Sequence, residues 1–190
     1  MAEVEILKKK KKKAYLILSK EFNNDEIGET LASDDSLVIG RTIEIGLSQL
    51  TNDPKMQNIK VKFRIREIKE GKCYAELYRY MMIPTYVRRV VKPGREKIED
   101  SFALITKDNV NIRVKPILLT KAEVQNSVLS KLRKKTREFF SEYTKRNDYD
   151  KFLFDLISHN IQKDLKSMLN KVYPLSVVEI RLMEKSMIKS

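Results

Sequence analysis

The chain holds a single histidine, His159, and a single cysteine, Cys73. That supply excludes a zinc cage of histidine and cysteine ligands and leaves no choice of partners for a Ser-His-Asp or Cys-His nucleophile. Its five glycines, Gly28, Gly40, Gly46, Gly71 and Gly94, are too scattered to build a phosphate-cradling loop or a dinucleotide fingerprint. Carboxylates are more plentiful. Asp25, Glu26, Glu29, Asp34, Asp35 and Glu44 fall close together, and a metal-dependent nuclease would use such groups as ligands or base. No helix or strand spacing converges them, so they read as an acidic edge facing a basic neighbour. His159 stands beside Asn160 near the end of an apolar, helix-like stretch, where a last-turn histidine faces helix carbonyls. The expectation is a protein that is not an enzyme and that needs neither metal nor cofactor.

Cations are the abundant chemistry. The 190 residues include 39 Lys and Arg against 26 Asp and Glu, a net charge of +13. The charge is segregated: residues 1–13 carry +4, 14–54 carry −6, 55–97 carry +9 and 121–146 carry +5. Blocks of one sign raise a strong local potential, and polyanions are the natural partners of a positive one. Six consecutive lysines, Lys8, Lys9, Lys10, Lys11, Lys12 and Lys13, repel one another and cannot pack, so they form an arm suited to neutralising phosphates. A single cysteine bars an intrachain disulfide and fits a reducing cytosol. The longest apolar runs, such as Ala14 to Leu18, are far shorter than the roughly 20 residues of a spanning helix, so no membrane is expected.

The elements that must position these cations follow from periodicity. Ile59, Val61, Phe63 and Ile65 alternate with Lys60, Lys62, Arg64 and Arg66, which is a strand with one buried and one basic face. Glu70-Gly71 turns the chain into a second strand, where Cys73, Ala75 and Leu77 alternate with Tyr74, Glu76, Tyr78 and Tyr80. Keeping the apolar faces together requires an odd-length loop and sets Tyr78 and Tyr80 beside Arg64 and Lys62, a basic and aromatic surface of the kind that tracks RNA. Thr42 to Leu47 is another strand. Ile98 to Thr106 and Val110 to Lys115 form a second hairpin around Lys107-Asp108-Asn109. Between the hairpins, Thr85 to Lys92 forms one or two helical turns presenting Arg88 and Arg89.

At Thr120 the period changes to 3.6. Thr120 and Glu123 make a capping box, and Val124, Val128, Leu132, Phe139 and Tyr143 form a stripe with Thr136 inside it. Measured from Leu132, Lys134 and Arg137 point farthest from that stripe, while Lys131, Arg133 and Lys135 flank it. Two further helices use Phe152, Leu153, Leu156 and Ile157, then Ile161, Leu165, Met168 and Val172, before Tyr173-Pro174 stops the helical region. Val178, Ile180 and Leu182 alternate with Glu179, Arg181 and Met183 in a closing strand. The fold class is therefore α+β, with an antiparallel or barrel-like β-rich first part, C-terminal helices and a final strand rejoining the sheet. The expected organisation is a basic tail over 1–13, one intertwined domain over 14–183 (β-rich 14–119, helical 120–173, last strand 175–183) and a short tail over 184–190.

Several short segments, in this order, resemble an archaeal-type small-subunit ribosomal protein family called S-three-a-e, also written e-S-one. They are Ile27-Gly28-Glu29-Thr30, Gly40-Arg41-Thr42-Ile43-Glu44 leading to Asn52-Asp53, the Thr106-Lys107-Asp108 turn, the long basic helix, and Val172-Tyr173-Pro174-Leu175 followed by Val178-Glu179-Ile180-Arg181. The resemblance implies a structural constituent of the small ribosomal subunit, cytoplasmic and ribosome-associated. It would sit on the platform near the messenger exit, with messenger RNA passing nearby and neighbouring ribosomal proteins as partners. Asn109 stands where many relatives place glycine, and the Pro93-Gly94 loop is not associated with the family. The RNA-binding set read from the sequence is Lys8 to Lys13, Lys60, Lys62, Arg64, Arg66, Arg88, Arg89, Arg133, Lys134 and Arg137, contacting small-subunit ribosomal RNA mainly at phosphates. The competing reading is a free-standing nucleic-acid-binding protein or RNA chaperone.

Overall fold

The computed structural model describes residues 12–22 and 24–186, so Lys8 to Lys11 of the basic run lie outside the described residues. The chain divides into two compact units, one built from residues up to 45 together with 62–77, the other from 46–61 together with 78 onward. The class is α+β, its long helices are C-terminal, and the last strand joins the sheet.

In the first unit, β1 (Lys13–Ser19) pairs antiparallel with β2 (Asp25–Ala32) and parallel with the start of β5 (Lys72–Met82). The strand thus begins at Lys13 itself. A register shift falls between Ile17 and Leu18, and Ile17 faces Gly28 there. Gly28 has φ 152°, and a Cβ at that position would come within 2.8 Å of Ile43 Cδ1, so the turn of the backbone and the close packing both demand glycine. Ile43 belongs to β3 (Thr42–Gly46), which pairs with β4 (Ile59–Lys69). Tyr15, Ile17, Phe63, Ile65, Cys73, Ala75 and Leu77 form the unit's interior.

The hairpin of β4 and β5 keeps the alternation read from the sequence but not the loop. Glu70 (φ 52°) and Gly71 (φ 76°) both adopt left-handed backbone and close a two-residue turn, where an odd-length loop was expected. Odd-numbered residues of both strands are nevertheless buried, so an extra residue is absorbed where the alternation in β4 breaks, between Ile65 and Ile68. A second break follows in β5. Leu77 is inside, but the next buried residues are Tyr80 and Met82, which moves Tyr80 from the expected outer face into the core.

In the second unit, β9 (Leu175–Lys185) lies between the end of β5 and β8 (Asn111–Thr120), pairing antiparallel with both. Tyr80 faces Met183 and Leu118 faces Val178. A register shift sets Lys115 opposite Leu182 and Pro116 opposite Ile180, which leaves Arg181 as the extra residue. The expected single strand over Ile98 to Thr106 is two short ones, β6 (Lys97–Glu99) and β7 (Phe102–Ile105), broken at Asp100-Ser101, and both pair with β8. Asn109 sits at φ 60° in the turn before β8, a conformation asparagine tolerates without glycine.

Helix α1 (Leu47–Thr51) is one short turn after β3, and α2 (Pro84–Val90) is the short basic helix anticipated between the hairpins. The expected capping box is absent. Thr120 ends β8, its hydroxyl bonding the Ala122 carbonyl and accepting from the Glu96 N–H, and α3 (Asn126–Arg146) starts six residues later. Helices α4 (Tyr149–Ile157) and α5 (Asn160–Asn170) complete the layer, with α5 against β9 and α3 against β7 and α5.

Because Phe63 is fully buried, with Phe22 edge-on at 6.1 Å, while Lys62 stays partly exposed in an ion pair, their substitutions should separate cleanly. Phe63→Ala is expected to lose about 3–5 kcal/mol in denaturant unfolding, and Lys62→Gln about 0–1 kcal/mol. Similar losses in the two variants would contradict this assignment of faces.

Candidate nucleic-acid interface

Helix α3 buries Leu129, Leu132, Thr136, Phe140 and Thr144 at three- and four-residue steps. Two threonines can lie on that face because each hydroxyl donates to the carbonyl one turn back, Thr136 to Leu132 at 2.8 Å and Thr144 to Phe140 at 2.9 Å. Phe140 packs on Phe102 of β7, and Phe139, Tyr143 and Phe152 continue the aromatic contact into α4. Val128, Phe139 and Tyr143, expected at the centre of the buried stripe, lie at its margin. The stripe is rotated from the expected one because Leu132 marks its edge, not its middle.

That rotation changes which cations face outward. Taken from the mean direction of Leu129, Leu132, Thr136 and Phe140, Lys134 and Lys131 lie about 155° and 145° away, with Lys135 about 105° away on the same side as Lys131. These three form one exposed sector and pair with no acid among the described residues. Arg133 is exposed nearer the buried face. Arg137, expected to point farthest out, instead holds Asp100 at 3.3 Å with its guanidinium 5.3 Å from the Phe102 ring centre. Lys131 takes the outward place that the sequence reading gave Arg137.

The cations of β4 are more engaged than an open basic strand would be. Lys62 pairs with Glu44 at 2.8 Å and Arg66 with Glu76 at 3.0 Å, Arg64 is half-buried, and Lys60 is exposed. Exposed pairs of this kind contribute little to stability, and they also occupy the cations. Tyr80 is fully buried, and burial pushes its hydroxyl far above the ordinary range. Tyr78 is half-buried with Arg79 at 5.9 Å from its ring, so neither tyrosine offers the open face expected beside Arg64 and Lys62. On α2, Arg88 and Arg89 are exposed in the last turn, and Arg89 lies 5.3 Å from the Tyr86 ring centre. Lys12 and Lys13 are exposed at the start of β1.

A second polar site was not legible in the sequence. A pocket of about 300 Å³ is lined by Tyr86 of α2, by Gln162, Lys163 and Lys166 of α5, by His159, and by Ser176 and Glu179 of β9. His159 is not in a last helical turn. It occupies left-handed backbone, φ 58°, immediately before α5, with Nε2 3.1 Å from Met56 Sδ and Nδ1 3.7 Å from the Glu179 carboxylate. Burial pushes Glu179 up to about 7, partly offset by Lys166, and burial also lowers His159, with Lys163 adding to that effect. No group of three or more potential metal ligands occurs among the described residues.

The Glu179 shift fixes a sign. A carboxyl whose folded pKa lies above its ordinary 4.5 keeps a proton that the unfolded chain releases, so stability falls as pH rises from 4.5 to about 7. Glu179→Gln removes that penalty. Its unfolding free energy should match the parent at pH 4 and exceed it by about 2–3 kcal/mol at pH 8. His159 acts oppositely below pH 6.5 and is present in both proteins. A parent and variant with parallel stability curves from pH 4 to 8 would show that Glu179 is solvated.

Comparison with known proteins identifies a family for the chain. The model of the Ribosomal S3Ae family matches residues 5–187. Curated relatives named small ribosomal subunit protein eS1 include one from Nanoarchaeum equitans, 33% identical over 160 residues, covering 84% of this chain and 81% of that protein. Another, from Methanopyrus kandleri, is 32% identical and covers 90% of this chain and 83% of its own length. A third, from Halorubrum lacusprofundi, is 30% identical across 95% of this chain and 85% of that relative. A family match over nearly the whole sequence, on a chain whose cations lie outside an apolar α+β core, settles membership: this chain belongs to the ribosomal S3Ae family.

Proposed function

We propose that this protein is a structural constituent of the small ribosomal subunit, without enzymatic activity, that binds small-subunit ribosomal RNA largely through phosphate contacts. The observation that carries the RNA reading is the exposed sector of Lys131, Lys134 and Lys135, three cations on neighbouring turns with no acid among the described residues to neutralise them. Such a sector gains by releasing counterions from a phosphate backbone. Lys12, Lys13, Arg88 and Arg89 are further exposed contributors, and Lys60 is exposed as well. Lys62, Arg64 and Arg66 belong to the set in a lesser role, since contact with phosphate there competes with Glu44 and Glu76.

Membership in a ribosomal protein family supports placement on the platform near the messenger exit, with neighbouring ribosomal proteins as partners and a cytoplasmic, ribosome-associated location. No helix among the described residues is long and apolar enough to cross a membrane. The acidic segment of β2, with Asp25, Glu26 and Glu29 exposed, supports contact with a basic neighbour. A free-standing RNA chaperone would sediment away from ribosomes in a sucrose gradient, whereas this reading places the protein with the small subunit.

Binding to naked small-subunit RNA across a salt series tests the helix. Lys131→Ala and Lys134→Ala should each cost on the order of 1 kcal/mol of affinity and reduce the salt slope by about one unit. Arg137→Ala should change the slope less, because that side chain is already committed to Asp100. If Arg137→Ala is the most damaging and Lys131→Ala and Lys134→Ala are silent, α3 meets RNA with a different face.

A further inference from the structure

Strand β1 reads Ala14-Tyr15-Leu16-Ile17-Leu18, a continuous apolar run of the kind found in strands buried on both faces. Among the described residues only one of its faces is covered. Tyr15 and Ile17 are buried, whereas on the opposite side Ala14 and Leu16 are exposed and Leu18 is half-buried. The register of the neighbouring strands extends that outer face. Ala14 stands opposite Leu31 of β2, which is 58% exposed, Leu16 opposite Glu29, and Leu18 opposite Glu26. On the other side of β1, Leu16 lies beside Lys72 and Leu18 beside the half-buried Tyr74 of β5. Ala14, Leu16, Leu18, Leu31 and Tyr74 thus share one apolar patch of the first unit, with acids on its β2 side and Lys72 on its β5 side. Apolar side chains gathered in this way, with a polar rim, mark a surface that another molecule covers.

On the strength of the ribosomal reading above, we propose that this outer sheet face docks an amphipathic segment of a neighbouring small-subunit protein. The segment seats an apolar row on Leu16, Leu18 and Leu31 and runs lysines or arginines along the β2 side. Charge selects the occupant. Asp25, Glu26 and Glu29 are exposed and form no ion pair among the described residues. Three such carboxylates repel phosphate, which disfavours RNA as the neighbour here, and they attract a basic segment. Lys72 repels the same cations from the far side of the patch, so the segment has one orientation available. The contact is made through side chains and not by adding a strand to the sheet. At the end of β2 next to the patch, Arg41 Nη1 already donates to the Leu31 carbonyl at 2.9 Å and to the Thr30 hydroxyl at 2.7 Å, closing that part of the edge.

Photo-crosslinking in assembled small subunits tests the face. p-Benzoylphenylalanine takes the place of Leu31, and in a second preparation of Leu16, in the full chain; small subunits carrying it are irradiated and the products mapped by mass spectrometry. Both positions should crosslink to the same ribosomal protein, within a segment that mixes apolar residues with lysines and arginines. Glu26→Lys combined with Glu29→Lys should lower the crosslink yield per incorporated chain at least about fivefold. Because both carboxylates are exposed, that variant should unfold at the same denaturant concentration as the parent. An unchanged yield, or a lower unfolding midpoint, would remove the charge argument and overturn the proposal. Crosslinks to RNA, to residues 1–11 of the same chain or to an acidic segment would also overturn it. If the parent chain sits in the small subunit while both positions stay uncrosslinked, the docking face fails by itself. If the parent chain sediments away from small subunits, the ribosomal reading fails and the docking face with it.

Discussion

The rest of the structure depends on keeping 39 cationic side chains in contact with water or with an acid while the chain still closes an apolar core. An ionised group buried without a partner costs several kcal/mol, so every element that carries cations must be amphipathic. Strand β4 meets the requirement by strict alternation, with Ile59, Val61, Phe63 and Ile65 inside and basic residues between them. Helix α3 meets it by confining burial to Leu129, Leu132, Thr136, Phe140 and Thr144. The two solutions leave different surfaces. On the sheet, acids of adjacent strands answer the cations, as Glu44 does Lys62 and Glu76 does Arg66. On α3, Asp100 pairs with Arg137 and Glu142 with Arg146, while Lys131, Lys134 and Lys135 pair with no acid among the described residues.

Strand β9 is where folding and the second site meet. It pairs with β8 along nearly its whole length and with β5 at its end, so the last residues of the chain complete the second unit's sheet. Helix α5 packs against the same strand. Glu179 of β9 and Gln162 of α5 line one pocket, and burial there is what pushes the Glu179 carboxyl upward. A carboxyl held near pH 7 is retained at the expense of folding free energy.

How far the sequence could be read depended on whether one period governed a segment. The alternation from Ile59 to Ile65 was legible because the side-chain period of a strand admits one buried face. The partner strand was not, because two local irregularities, one before the turn and one after Leu77, shift the faces and carry Tyr80 inward; nothing in the residue types marks either. The α3 stripe was misplaced because Val128-Leu129 and Phe139-Phe140 are adjacent apolar pairs between which periodicity does not choose; the buried members are Leu129 and Phe140, and Thr144, like Thr136, joins them by neutralising its hydroxyl on the helix's own backbone. Thr120 and Glu123 have the spacing of a cap, yet Thr120 is held in β8 by its bonds to Glu96 and Ala122. His159, Gln162 and Glu179 could not be joined from sequence, since they approach only through the packing of α5 on β9. Strand β1 was not assigned because Ala14 to Leu18 is a continuous short apolar run with no alternation, and β2 carries few apolar residues among its acids.

Ribonuclease footprinting of small ribosomal subunits with and without this protein tests the central claim most directly, that an unanswered cationic surface on a shaped α+β core places the chain on ribosomal RNA. The account predicts a compact set of backbone protections in the small-subunit RNA that appears with the parent protein and weakens when Lys131 and Lys134 are replaced by alanine. Subunits whose RNA cleavage pattern is the same with and without the protein would contradict it.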